Sequence, residues 1–151
     1  MNTADIAARR VARFGAVQAL YQMEMSGATT ADVISDFSDG KLPRVSEASY
    51  TEEEGDIDLF RTIVEAAVER QATLDRAIAR HLSKGWRLER IDAVARAILR
   101  AGAAELEQRR DIPTAVVIDE YVEIAKSFFD GPEPGFINAA LDACAADLRA
   151  G

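Results

Sequence analysis

The chain has 151 residues, 48% of them hydrophobic, and a formal net charge of -8, with one cysteine and one histidine. That length and apolar content suit one domain with a real core. A single cysteine, Cys144, excludes an internal disulfide, and no run approaches the roughly 18 consecutive apolar residues of a membrane span. Alanine is abundant and β-branched residues are few, which favours helix over sheet. MNTADIAARR lacks the apolar core of a secretory signal, so a soluble cytoplasmic helical protein without membrane contact is expected.

The first helix is predicted from Asp5 to about Met25, ended by Ser26-Gly27. Its front carries Arg9, Arg10 and Arg13, although a helix N-terminus disfavours nearby cations. At about 100° per residue the three fall on the side of Val17, Leu20 and Tyr21, where the helix buries itself. Such a cluster is either a salt-bridged surface or a docking edge for something anionic. Gln18 lies beside that line. Tyr21 reads either as core or as an aromatic face for a base, since guanidiniums with aromatics hold single-stranded RNA.

A short second helix is expected over Thr30 to Phe37, with Thr30 as its N-cap. Residues 38–55 mix turn residues and acids and read as a long mobile loop. Residues 31–60 hold nine acids against Lys41 and Arg44, a local net of -7, so the rest of the chain carries only -1. Because screening sets in at about 8 Å near physiological salt, the acidic total does not rule out a local cationic patch for nucleic acid. It does argue against strong, unaided binding.

One long helix is predicted from Asp56 to Leu82, broken by Ser83-Lys84-Gly85, with Trp86 plugging the junction. From Leu88 to about Arg110 the apolar spacing is the clearest in the chain: Ile91, Val94, Ala95, Ile98, Leu99, Gly102 and Leu106. Asp92, Arg96 and Arg100 run along its polar side, either solvated or facing a protein partner. Pro113 stops this helix and Thr114 starts the next. DGPEPG at 130–135 is a turn, and the last helix presents Phe136, Ile137, Ala140, Leu141, Cys144 and Leu148. Phe136 reads as core unless its turn lies beside the first helix. The whole is an all-α, compact bundle of six to seven helices.

Chemistry finds little support in the residues. His81 has no ligand-like neighbours, the acidic run Glu52 to Asp58 lacks the pattern of a calcium loop, and no Gly-rich phosphate loop appears. No metal, cofactor or catalytic pair is expected, and Cys144 reads as a small buried hydrophobe.

AARRVARFGAVQALYQ at 7–22, ERIDAVARAILRAGAAEL at 89–106 and DIPTAVVIDEYVEIAKSFFDGPEPGFINAALD at 111–142 resemble the NusB family of bacterial transcription antitermination factors. The resemblance spans nearly the whole chain and is weakest over 28–58. It implies one helical domain of two three-helix subdomains, about 1–82 and 83–151. It also implies a non-catalytic protein that binds boxA-type RNA together with the ribosomal protein NusE. Other Nus factors and RNA polymerase would be engaged indirectly, and some members form homodimers. On matching positions Arg9, Arg10, Arg13, Gln18, Tyr21 and Phe136 would face RNA, while Asp92 and Arg96 would lie toward the protein partner. Val11 stands where another arginine is common, Gly135 where a lysine is frequent, and Asp119 replaces an asparagine. Two rivals remain: a protein-binding helical scaffold whose arginines pair with its own acids, and the RNA-binding module of a ribosomal RNA methyltransferase, which would need a further cofactor-binding domain.

Overall fold

Asn2 begins the first helix by turning its side chain onto the Asp5 backbone N–H at 2.8 Å, which satisfies one of the free donors of a helix start. The computed structural model describes residues 2–41, 55–82 and 87–150. Helix α1 spans Thr3–Ser26 and ends on Gly27, whose φ of 75° is the left-handed conformation that glycine adopts without a Cβ penalty. Helix α2 spans Thr30–Ser38. Its N-cap is Thr29 rather than the expected Thr30, because Thr29 and Asp32 satisfy each other's backbone N–H groups reciprocally.

The single helix expected over Asp56 to Leu82 is two: α3, Ile57–Glu69, and α4, Gln71–Arg80. The break is at Arg70, with φ -109° and ψ 19°, and neither glycine nor proline announces it. Tertiary packing sets it: the bend lets both helices lie against the next one, and Arg70 bonds Glu107 there at 2.5 and 2.9 Å. The helix expected from Leu88 also divides. Leu88–Arg90 form a 3₁₀ turn, and α5 runs Ala93–Gln108 from an Asp92 cap. Helix α6, Thr114–Phe128, follows Pro113 as expected, and α7, Glu133–Leu148, starts inside the DGPEPG turn. Pro134 is tolerated there because a first-turn N–H has no intrahelical partner. Of the loop expected over 38–55, Ser38 still belongs to α2 and residues 42–54 lie outside the described residues, as do the expected break at 83–85 and Trp86.

Helix α5 is the axis of the fold. It packs against α1, α3 and α4 and also against α6 and α7, and one continuous apolar core joins all of these. Ala95, Ala97, Ala101, Ala103 and Ala104 are buried along it, and small side chains allow neighbours on nearly every side. Helix α2 is pinned by Phe37, whose ring stacks on Phe60 at 4.0 Å between centroids. Gly15 of α1 and Gly55 flank that ring so closely that a Cβ on either would overlap it. Among the described residues there is no strand, and no helix is long and apolar enough to cross a membrane.

Candidate nucleic-acid interface

Helix periodicity puts Arg13 one turn before Val17, which is fully buried, and the fold carries Arg13 inward with it. Its side chain is 3% exposed. Nε and Nη2 donate to both oxygens of Glu105, itself fully buried, at 2.7 to 3.1 Å. Glu105 also accepts from the Tyr121 hydroxyl at 2.9 Å, so the triad ties α1, α5 and α6 together. Burial by itself pushes the Arg13 guanidinium down, but the Glu105 hydrogen bond and charge reverse this and leave it raised. Burial, then the Glu105 charge, push the Tyr121 hydroxyl well above its ordinary value. Arg13 therefore does not face a polyanion, which corrects the expectation. Helix periodicity does place Arg13 on the side of Val17, and that side is the core.

Arg10 lies differently. Its side chain is 64% exposed, and only Nε is used by Glu120, at 3.2 Å to each carboxylate oxygen. Both Nη groups make no hydrogen bond among the described residues, and a guanidinium so held keeps four N–H donors for an outside anion. Arg9 is half-buried, has no ion-pair partner within 4.0 Å among the described residues, and lies near enough to Asp111 to help hold that carboxyl down. The cationic edge is thus Arg9 and Arg10, not a cluster of three.

Gln18 is 6% exposed, and its Nε2 has no hydrogen-bond partner among the described residues, so it too sits inside rather than at a surface. Tyr21 and Phe136 are half-buried against the core and keep part of each ring accessible. Val11, where a further arginine is common in the resembling family, is half-buried with Cγ1 against Gly55. A charged group would gain little in that contact.

The expected protein-partner face also changes. Asp92 is exposed and caps α5, accepting from the Val94 and Ala95 N–H groups at 2.8 and 3.3 Å. Arg96 is only 8% exposed. It donates to the Leu88 and Ile91 carbonyls at 3.1 and 2.6 Å and pairs with Glu24 through Nε and Nη2. Arg100 bonds Asp75 at 2.9 Å through two nitrogens. Arg96 is therefore an internal clamp joining the 3₁₀ turn and α1 to α5, not part of an open face. Its hydrogen bonds hold the Glu24 carboxyl below the usual range.

Residues that sequence reasoning did not single out meet between α1 and α6. Arg10, Phe14, Glu120, Glu123 and Ile124 line an open groove of about 390 Å³. Phe14 lies one turn after Arg10, and its ring is 5.6 Å from that of Phe128. The i, i+4 spacing of Arg10 and Phe14, and of Glu120 and Ile124, was visible in the chain. That these two helices adjoin was not. Elsewhere Cys144 is buried as expected, its thiol pushed up to about 11 by burial. Among the described residues no three His, Cys, Asp or Glu side chains converge as a metal would need.

Residues 10–146 match the model of the NusB family. The transcription antitermination protein NusB of Caulobacter vibrioides is 55% identical over 99% of both chains. The chain belongs to the NusB family. The Maricaulis maris protein of the same name is 51% identical, covering 93% of this chain and 88% of its own. Among solved structures, T. maritima NusB aligns with a TM-score of 0.72 at 29% identity, covering 92% of this chain and 91% of that one. A structure described as antitermination factors NusB and NusE in complex with dsRNA aligns at 0.74 and 24% identity, over 94% and 98% of the chains, and shares the fold. The all-helical architecture is thus that of the family. Arg13, Gln18 and Arg96 serve its interior here.

Proposed function

We propose that this chain is a non-catalytic, cytoplasmic transcription antitermination factor that binds boxA-type single-stranded RNA together with NusE, promoting read-through in ribosomal RNA operons. Other Nus factors and RNA polymerase are engaged through that complex, and self-association through α1 would cover its arginines. The carrying observation is Arg10, exposed on α1 with both Nη groups unengaged among the described residues. The near full-length similarity to proteins named for antitermination supports the activity. Arg9 and Arg10 meet phosphates while Tyr21 and Phe136 offer aromatic faces. With Arg13 withdrawn and a net charge of -8, two arginines supply modest attraction, and NusE adds the contact area that makes binding specific.

A protein-binding scaffold remains the second reading, because Arg13 and Arg10 both pair with the chain's own carboxylates. Titration of a boxA-type strand against a scrambled one, with and without NusE at two salt concentrations, separates the two. Preference for the boxA strand that strengthens with NusE supports the RNA reading. No RNA binding in either case leaves the scaffold.

A further inference from the structure

Helices α1 and α6 meet with Arg10 beside Glu120, and the groove beyond that pair has a mixed lining. Phe14 and Ile124 supply apolar walls, while Glu120 and Glu123 place two carboxylates on the α6 side. Arg10 reaches Glu120 only through Nε. Its Nη groups remain for a phosphate at the rim. Glu120 is paired with Arg10 and Glu123 with Lys126 at 3.1 Å, so a phosphate inside the groove would meet two carboxylates and, apart from Arg10 at the rim, no cation among the lining residues. A flat, apolar ring edged with N–H donors suits the same walls.

From this geometry we infer that the α1–α6 groove is a nucleobase subsite, selective for an unpaired base bearing an exocyclic amine over uracil. The inference rests on the RNA-binding reading above and names a specificity element within it. Phe14 offers its ring to the base, and Glu120 and Glu123 accept from the amine, as carboxylates do from cytosine N4. Arg10 holds the adjoining phosphate through Nη1 and Nη2. Uracil presents carbonyl oxygens where the amine would be, and these face the carboxylates unfavourably. Glu120 thus has two partners: the Nε of Arg10, which it orients, and the base.

The test uses the full chain with NusE and short single strands of equal length, one all uracil, the others carrying one cytosine or one guanine in a uracil background. Glu120→Gln keeps an oxygen for the Nε of Arg10 while removing the charge, and Phe14→Leu removes the π face. Thermal melts confirm that each variant is folded. The unaltered chain is expected to prefer the amino-bearing strands by about fivefold, the lower end of what one well-placed base contact supplies. Both variants are expected to lose most of that preference, with Glu120→Gln binding the all-uracil strand no more weakly. An equal gain by Glu120→Gln on every strand would make Glu120 only a counter-charge and overturn the subsite. So would variants that weaken NusE binding but not RNA, since the groove would then belong to the protein partner. RNA binding without base preference sinks the subsite alone. No RNA binding by the unaltered chain sinks the subsite and the RNA reading together.

Discussion

Arg13 and Glu105 face each other across the α1–α5 packing with both charges out of water, 3% and 0% exposed, joined by three hydrogen bonds. Desolvating two ions is costly, so the pair does not follow from stability alone; once formed, neither partner can be removed cheaply. Arg13→Ala is expected to cost about 3–5 kcal/mol by leaving Glu105 buried and unpaired. In a chain of this size that corresponds to a fall in Tm on the order of 10 °C. The triple variant Arg13→Met, Glu105→Leu and Tyr121→Phe, which also removes the buried hydroxyl that Glu105 accepts from, is expected to recover at least half of that loss. Calorimetry of the three proteins checks both statements, and a single variant melting within a degree or two of the original would place this pair at the surface after all.

Arg10 should behave in the opposite way. Arg10→Ala removes an exposed side chain whose ion pair is of the kind worth about 0–1 kcal/mol, so Tm is expected to change little. With RNA, each lost phosphate contact flattens the log–log salt slope by about 0.7 on a single strand. Affinity measured at four salt concentrations gives that slope directly. A slope and affinity identical to those of the unaltered chain would remove Arg10 from the interface.

Gly15→Ala sets helix propensity against packing. Alanine favours an α-helix over glycine by about 1 kcal/mol. At Gly15, however, the new Cβ would lie 2.7 and 2.9 Å from two ring carbons of Phe37. That ring cannot retreat without leaving its stack on Phe60. The net effect is expected to be a loss of up to about 2 kcal/mol, since overpacking costs typically about 1–3 kcal/mol before the helical gain of about 1 kcal/mol is subtracted. Denaturant unfolding measures it, and a variant more stable than the original would mean that α2 yields freely.

Asp111 gives a pH signature. Arg109 donates Nε and Nη2 to its two oxygens at 2.9 Å and holds the carboxyl at about 2 against an ordinary 3.8. A folded-state value below the unfolded one means that the ionised form stabilises the fold above pH 3.8 and that this support is lost as pH falls toward 2. Titration of the side-chain carboxyl by NMR is expected to show a midpoint near 2, returning toward 3.8 in Arg109→Ala. A midpoint near 3.8 in the unaltered chain would mean that the two groups are not paired in solution.

Much of the fold was legible in the residues. The end of α1 and the start of α6 followed from Ser26-Gly27 and from Pro113-Thr114, local signals that act within a turn. The break at Arg70 carries no such signal, because it is imposed by where α5 lies. The Thr29 cap is a miss of another kind, because Thr29 and Asp32 stand three positions apart, a local capping-box spacing that the choice of Thr30 passes over.

At the candidate site, sequence alone determined the helix class, the stripe on α1 and the family likeness, because periodicity and motif spacing are local properties of the chain. Whether a given guanidinium meets water or a carboxylate 92 residues away was decided only when α1 closed on α5. Arg10 and Arg13 have the same chemistry and stand three positions apart, yet one is 64% exposed and the other 3%. Three positions leave the two roughly 60° apart in azimuth, enough to separate the rim of the buried stripe from its inside, read against a neighbour that the linear sequence does not name.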